Sequence, residues 1–387
     1  MWLSSAGAAT VQVMRLLRQN PDGVEVILYA SNVDPAATAL SVCDVPTVEP
    51  RYVGDAEYAA FAIDFCRKHG IDVLIPPRRL GALAGRAADF AAVGTRLMCS
   101  PRASVRTLTD KVATYEIAGA AGIPVPPWRV AADADGLRKA VAELSGTGER
   151  LCIKPSGEYS AFGFRVLDDR PLSMADLLAP AEPTVSVEAV ATAFERAAAN
   201  GGRVPELLVM PYLDEPEISI DCLSEPGGEL LLGIPRAKDG RFRTLLDDPE
   251  LVAIARRLVG HFELAYLTNV QLRYRAGEPV LLEANPRPSA GLFHTAYADV
   301  NLPWAAIRLL LHGDSGLRQP PRLGVRLAVA EAVMEIAPRP RIPGENGLTV
   351  YGTTTSVEAG TLGLSVRTVS ETLPGPVSAS TIAGVDR

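Results

Sequence analysis

The sequence predicts an α/β protein, with a doubly wound parallel sheet at the N-terminus followed by units in which strands and helices mix. Two observations carry this reading. Strand-like and helix-like segments alternate through the first hundred residues, as parallel strands joined by crossover helices do. Further on, strand-like runs come in pairs around turn signals. Residues 218–223 and 230–234 flank Glu225-Pro226-Gly227-Gly228, and residues 269–273 and 281–287 flank Ala276-Gly277-Glu278-Pro279. Both pairs read as antiparallel hairpins.

In chain order, a strand-like start at Met1-Trp2-Leu3 is followed by a short apolar run over residues 24–29, helical spacing over 56–69 and a buried-strand run over 71–75 closed by Pro76-Pro77. A helix over 80–92 then leads to a strand at 96–99. The Gly7 region lacks G-x-G-x-x-G, so nothing marks a dinucleotide loop there. A helix is predicted over 107–121, ended by Gly122 and the prolines that follow it. Strands are expected at 151–154, 164–167 and 207–210, with an irregular proline-bearing insertion at 168–183 and a helix over 187–199. An amphipathic helix over 249–262 feeds the second hairpin, and another helix spans 304–311. After Pro320-Pro321, one strand is expected over 325–334. The remainder is rich in Gly, Pro, Ser and Thr, with a small hairpin expected from residues 349–357 and 364–369.

Composition narrows the function classes. A chain of 387 residues can hold two or three domains, and 48% hydrophobic with 21% charged residues is ordinary for a globular protein. The net charge of −7 argues against nucleic acid or an anionic membrane as the main partner. No apolar run is long enough to span a bilayer. The N-terminus shows no basic region followed by a long apolar stretch, and the five scattered cysteines form no C-x-x-C pair. A cytoplasmic protein with reduced thiols is the expectation.

The chemistry is concentrated in the second hairpin. Glu283 and Asn285 are two apart and share a strand face, and Gln271 joins them if the two runs pair. Hard cations such as Mg²⁺ take oxygen ligands of this kind and share them with substrate phosphates. Arg287, just past Pro286, is placed to grip a phosphate with a two-pronged donor. Lys154 ends an apolar strand beside a small-residue loop over 156–163, an arrangement that suits phosphate. The four histidines show no H-x-x-x-H or H-E-x-x-H spacing, so zinc hydrolysis has no support.

Five segments fall in a familiar order: Asp110-Lys111 with Gly122-Ile123-Pro124-Val125-Pro126; Cys152-Ile153-Lys154-Pro155; Val209-Met210-Pro211-Tyr212-Leu213 with Glu217; Asn269-Val270-Gln271; and Glu283-Ala284-Asn285-Pro286-Arg287. With them the chain resembles the ATP-grasp superfamily, above all the carboxylate–amine ligases related to carbamoyl-phosphate synthase and biotin carboxylase. The resemblance implies an N-terminal pre-ATP-grasp domain over residues 1–106 and an ATP-grasp domain over 107–320, built of two α+β lobes with the mobile one at about 128–212. Residues 321–387 would be a C-terminal extension.

It also implies a site. Lys154 and Lys111 would bind nucleotide phosphate, with Ser160 and Gly163 in the covering loop, although Glu158 and two aromatics make residues 157–163 bulkier than the family's usual glycine-and-serine pattern. Residues 209–213 would be the linker that reads adenine, through Met210 and Leu213, and Glu217 would hold the ribose. Arg236 and Lys238 would lie near the phosphates. Gln271, Glu283 and Asn285 would hold Mg²⁺, with Mn²⁺ as the alternative cation. Arg287, Ser289, Gly291 and His294 would meet the substrate, Arg287 and Lys154 being the catalytic pair. The implied reaction joins a small carboxylate to an amine through an acyl phosphate, with ATP as cofactor. A bicarbonate-activating carboxylase or carbamoyl-phosphate-type enzyme, or an ATP-binding regulator without turnover, are the alternatives. Relatives are often dimers, so a homodimer is one expectation.

Overall fold

The computed structural model describes residues 1–330 apart from 158–161, 172, 180, 181 and 203. Its strands form three sheets. The first holds β1 (Trp2–Leu3), β2 (Tyr29–Asn32), β3 (Val45–Val48), β4 (Val73–Ile75) and β5 (Arg96–Leu97), all parallel, in the order β3-β2-β1-β4-β5. That is a doubly wound sheet. The helix Ala8–Arg18 buries Val11, Met14 and Leu17 on one side of it, and the helix Asp55–His69 packs with Trp2, Leu74 and Phe90 on the other.

The second sheet holds β6 (Arg129–Ala131), β7 (Leu151–Pro155), β8 (Arg165–Leu167), β9 (Thr184–Val185) and β10 (Leu207–Pro211), ordered β6-β10-β7-β8-β9. Its core lies under the helices Ala134–Ser145 and Val187–Ala199. The third is antiparallel. It holds β11 (Asp214–Ser224), β12 (Leu230–Asp239), β13 (Phe242–Leu245), β14 (Tyr266–Arg275), β15 (Glu278–Asn285) and β16 (Arg326–Ala328), ordered β15-β14-β11-β12-β13-β16. Ile218, Ile220, Val270, Leu272 and Ala284 face a core made with the helix Pro249–His261. Only Tyr212 and Leu213 separate β10 of the second sheet from β11 of the third. Among the described residues, no helix is long and apolar enough to cross a membrane.

Several expected elements shift, each for a local reason. Residues 24–28 are not a strand. The Asn20 side chain accepts from the Val24 N–H and the Asp44 carboxylate from the Leu28 N–H, so these donors are withdrawn from any ladder and pairing starts at Tyr29. The helix expected over 107–121 is two, Arg102–Thr109 and Lys111–Ala120. Asp110 breaks it by leaving helical geometry and accepting from the N–H groups of Val112 and Ala113, as an N-cap aspartate does. The stretch over 80–92 divides into Leu80–Leu83, a 3₁₀ turn Ala84–Arg86 and Ala87–Ala92. The irregular insertion carries a short helix, Met174–Leu178, capped by Ser173. Residues 209–211, expected in the linker, continue β10. Of the strand expected over 325–334, only β16 forms among the described residues; Val325, Val329 and Ala330 are not strand, and residues 331–334 and both tail hairpin runs lie outside the described residues.

Candidate functional site

Strict alternation gives the third sheet two unlike faces. Ile218, Ile220 and Cys222 of β11 point into the core, so Glu217, Ser219 and Asp221 line the opposite face. Register extends that face across the sheet. Glu217 opposes Lys238, Ser219 lies between Arg236 and Gln271, and Asp221 opposes Asn269. Across the next pair, Gln271 opposes Glu283 and Asn269 opposes Asn285. The three proposed cation ligands therefore come together on adjacent strands, as the turn and the two-residue spacing require.

Two lysines from outside the sheet reach this edge. Lys111 is the first residue of its helix, fixed where the Asp110 cap places it; its backbone N–H donates to the Ser156 carbonyl at 3.0 Å. Its ammonium lies 3.9 Å from Glu283 Oε1. Lys154, on β7 and 8% exposed, donates to the Leu282 carbonyl at 3.0 Å and to the Tyr115 hydroxyl at 3.1 Å. Burial lowers its ammonium to about 8; Glu283 draws it back up and Lys111 pushes it further down. The Leu282 carbonyl is available because β15 bulges there, where pairing passes from Leu272–Leu281 to Gln271–Glu283. Gly163 closes the loop after β7. Its φ is +70°, and a Cβ there would come within 2.7 Å of the Pro155 ring, so the backbone at Gly163 lies close against the strand end. Ser160 lies outside the described residues.

Met210, near the end of β10, and Leu213, in the β10–β11 junction, are both buried. Tyr212 between them has the guanidinium groups of Arg150 and Arg273 over its ring, at 5.3 and 5.7 Å. Glu217 and Lys238 form a cross-strand ion pair. Arg236 is paired within the sheet and to the turn beyond it. It is 1% exposed, and Nη2 donates to Ser219 Oγ, Asp221 Oδ2 and Ser289 Oγ at 3.1, 3.1 and 3.2 Å. Its Nε has no partner among the described residues. The guanidinium lies against Gly291, where a Cβ would fall 2.6 Å from Nη2. Arg236 thus ties the Ser289–Gly291 turn to the sheet.

Ser289 also donates to Asp221 Oδ1 at 2.6 Å, and Asn269 donates to Ser219 Oγ at 2.9 Å and the Ile220 carbonyl at 3.0 Å. His294 is buried, its Nδ1 2.7 Å from the Gly291 carbonyl oxygen. Burial lowers its imidazole, Arg236 and Arg243 lower it further, and the Gly291 carbonyl opposes them. Arg287 donates to the Pro288 carbonyl at 3.2 Å and lines a small cavity with Ile75, Pro76 and Cys99, at the carboxyl end of β4. Sequence reasoning missed Tyr115, Ser219 and Asp221. The last two were detectable by carrying the alternation of Glu217 forward; Tyr115 sat in an unremarkable helical pattern.

Among the described residues, no three His, Cys, Asp or Glu side chains group as a metal site. The Gln271, Glu283 and Asn285 trio, with one formal charge, has the oxygen-donor chemistry that suits a Mg²⁺ whose shell is completed by water and phosphate.

Residues 203–333 match a family model described as ATP-grasp in the biosynthetic pathway with Ter operon. The α subunit of mitochondrial methylcrotonoyl-CoA carboxylase from Oryza sativa subsp. japonica is 25% identical over 240 residues, 59% of this chain and 29% of that protein. The chain thus covers less than a third of that relative's length. In solved structures, biotin carboxylase from Campylobacter jejuni superposes with a TM-score of 0.60 at 15% identity, over 84% of this chain and 74% of that one. N5-carboxyaminoimidazole synthetase from Staphylococcus aureus gives 0.60 at 14%, over 84% and 80%. L-amino acid ligase from Bacillus licheniformis gives 0.56 at 14%, over 80% and 73%. At such identities these structures speak to fold. Motif order, family model and architecture agree: the chain has the ATP-grasp fold, in the form seen in biotin carboxylase and the carboxylate–amine ligases.

Proposed function

We propose that the protein is a Mg-ATP-dependent ligase joining a small carboxylate to an amine. One observation supports this above the others. Gln271, Glu283 and Asn285 share one face of the third sheet, and Lys111 and Lys154 converge on the same strand from outside it. An oxygen-donor set beside two ammonium groups suits a polyphosphate and its cation.

Lys154 and Lys111 hold the phosphate chain, and Gln271, Glu283 and Asn285 hold Mg²⁺, which would offset phosphate charge when bound. Met210 and Leu213 present backbone groups to adenine, and Glu217 accepts from the ribose hydroxyls. A substrate carboxylate oxygen attacks the γ-phosphorus as the bond to ADP oxygen breaks, and Arg287 stabilises the charge that develops. The amine nitrogen then attacks the acyl carbon, phosphate leaves with the bonding pair, and the amine gives up a proton. The products are amide, ADP and phosphate. Arg236, with Asp221 and Ser289, keeps the Ser289–Gly291 turn in place beside the acid. The domain boundaries at about 106 and 320, the mobile lobe over 128–212 and a homodimer belong to the same reading.

ADP release, measured with Mg²⁺ across a panel of amino acids and other small acids with amines, tests it. Turnover that needs both an acid and an amine supports the ligase. The similarity to a carboxylase subunit makes bicarbonate the necessary second arm, and release that depends on bicarbonate alone would replace this reading. Mg-ATP binding without ADP release under any condition would leave a regulator.

A further inference from the structure

Tyr115 lies four residues beyond Lys111 on the same helix and is 1% exposed. Its ring packs among the apolar residues between the second and third sheets. Its hydroxyl does not face a bland core. It donates to the Leu282 carbonyl at 2.9 Å and accepts from Lys154 Nζ at 3.1 Å, while Lys154 itself donates to the same carbonyl at 3.0 Å. Three polar atoms thus close a triangle, one each from a helix, a strand of the second sheet and a strand of the third. The Lys154 ammonium also stands 5.1 Å from the centre of the Tyr115 ring, within cation–π range.

We propose that Tyr115 is a positioning residue for Lys154, setting the direction of the one ammonium N–H left for nucleotide phosphate. This rests on the Mg-ATP reading above. An ammonium carries three donors on a flexible stem, and nothing in lysine's own geometry fixes where they point. Two are held here by Tyr115 and Leu282, so the third has a fixed bearing. The bulge at Leu282 is what turns that carbonyl to the lysine, and Glu283 follows it directly in the chain. Cation ligand and phosphate lysine are therefore aligned through one carbonyl, and the Tyr115 hydroxyl is the second point that keeps Lys154 from swinging about it. A hydrogen bond to a charged group supports an effect on the order of tenfold in affinity.

The test is a double-mutant cycle on Mg-ATP affinity, measured by titration calorimetry with the full chain. Tyr115→Phe keeps the ring under the ammonium and removes only the hydroxyl. Mg-ATP should bind roughly tenfold more weakly to Tyr115→Phe than to wild type, whereas adding Tyr115→Phe to Lys154→Met should change nothing further. Equal losses in both backgrounds, or no loss in the wild-type background, would overturn the positioning role. Tyr115→Leu guards against a folding artefact: it should lower the melting temperature where Tyr115→Phe does not, and a Tyr115→Phe affinity loss that merely tracked lost stability would also count against the proposal. If wild type itself binds no Mg-ATP, the parent reading fails, an outcome distinct from a wild type that binds and a Tyr115→Phe variant that binds equally well.

Discussion

Asp221 and Arg236 form an ion pair at 3.1 Å whose carboxylate is 0% exposed and whose guanidinium is almost as deeply buried. They lie on neighbouring strands, yet the pair is not a simple cross-strand contact. Arg236 stands opposite Ser219, so it reaches Asp221 diagonally, and Ser289 bridges both. Removing one partner from such a pair leaves an uncompensated buried charge, which costs about 3–5 kcal/mol. Asp221→Ala should therefore lower unfolding free energy by that amount, while Asp221→Leu with Arg236→Met should recover most of it. Guanidinium titrations of the two variants check this; equal losses would mean that the hydrogen bonds to Ser219 and Ser289 matter more than the charges.

Gly291 has room for no side chain. An added Cβ would sit 2.6–2.8 Å from Nη2, Cζ and Nη1 of Arg236, and Arg236 is held from moving by Asp221. Gly291→Ala should cost about 1–3 kcal/mol, as overpacking does. Gly146 is the control. It has helical dihedrals and open space around its Cβ position, so Gly146→Ala should be neutral or slightly stabilising.

Burial holds the His294 imidazole below its ordinary value of 6.5. The unfolded chain therefore binds more protons than the folded one just under that value, and stability falls as the pH is lowered through it. The loss stops growing once the pH passes below the folded-state value. Unfolding midpoints between about pH 5 and 8 should fall on the acid side for wild type and flatten for His294→Gln. Parallel curves would place the proton uptake elsewhere.

Glu283 carries the one formal charge of the proposed cation ligands and lies 3.9 Å from the Lys111 ammonium. Glu283→Gln keeps the shape and removes that charge. Turnover in the ADP-release assay should drop by at least about a hundredfold, with partial recovery at raised Mg²⁺. Unchanged turnover would move the cation away from this strand.

Much of this was legible where structure follows local rules. A turn and a two-residue spacing were enough to put Gln271, Glu283 and Asn285 on one face, and the helix Val187–Ala199 announced itself by its spacing. The sequence pattern failed where a side chain outbids the backbone. Asn20 and Asp44 capture donors that a strand over 24–28 would have used, and Asp110 ends a helix that periodicity carries through. The partners of Arg236 were hidden for another reason. Its partner Ser289 lies 53 residues away, and no local pattern reports such a contact. Tyr115 was invisible for the same cause, since its hydroxyl meets Leu282 across 167 residues.

The extra residue in β15 has one more effect. Leu281, two positions before Glu283, points into the core opposite Leu272, although residues two apart in a regular strand share a side. Leu282 resets the count. Without Leu282, Leu281 and Glu283 would follow each other in plain alternation, still opposite Leu272 and Gln271, so the ligands would keep their face while the carbonyl that Lys154 and Tyr115 share would be gone. The insertion thus leaves inward and outward side chains in phase with β14 and sets one carbonyl outside the ladder, where a helix and another sheet take hold of it.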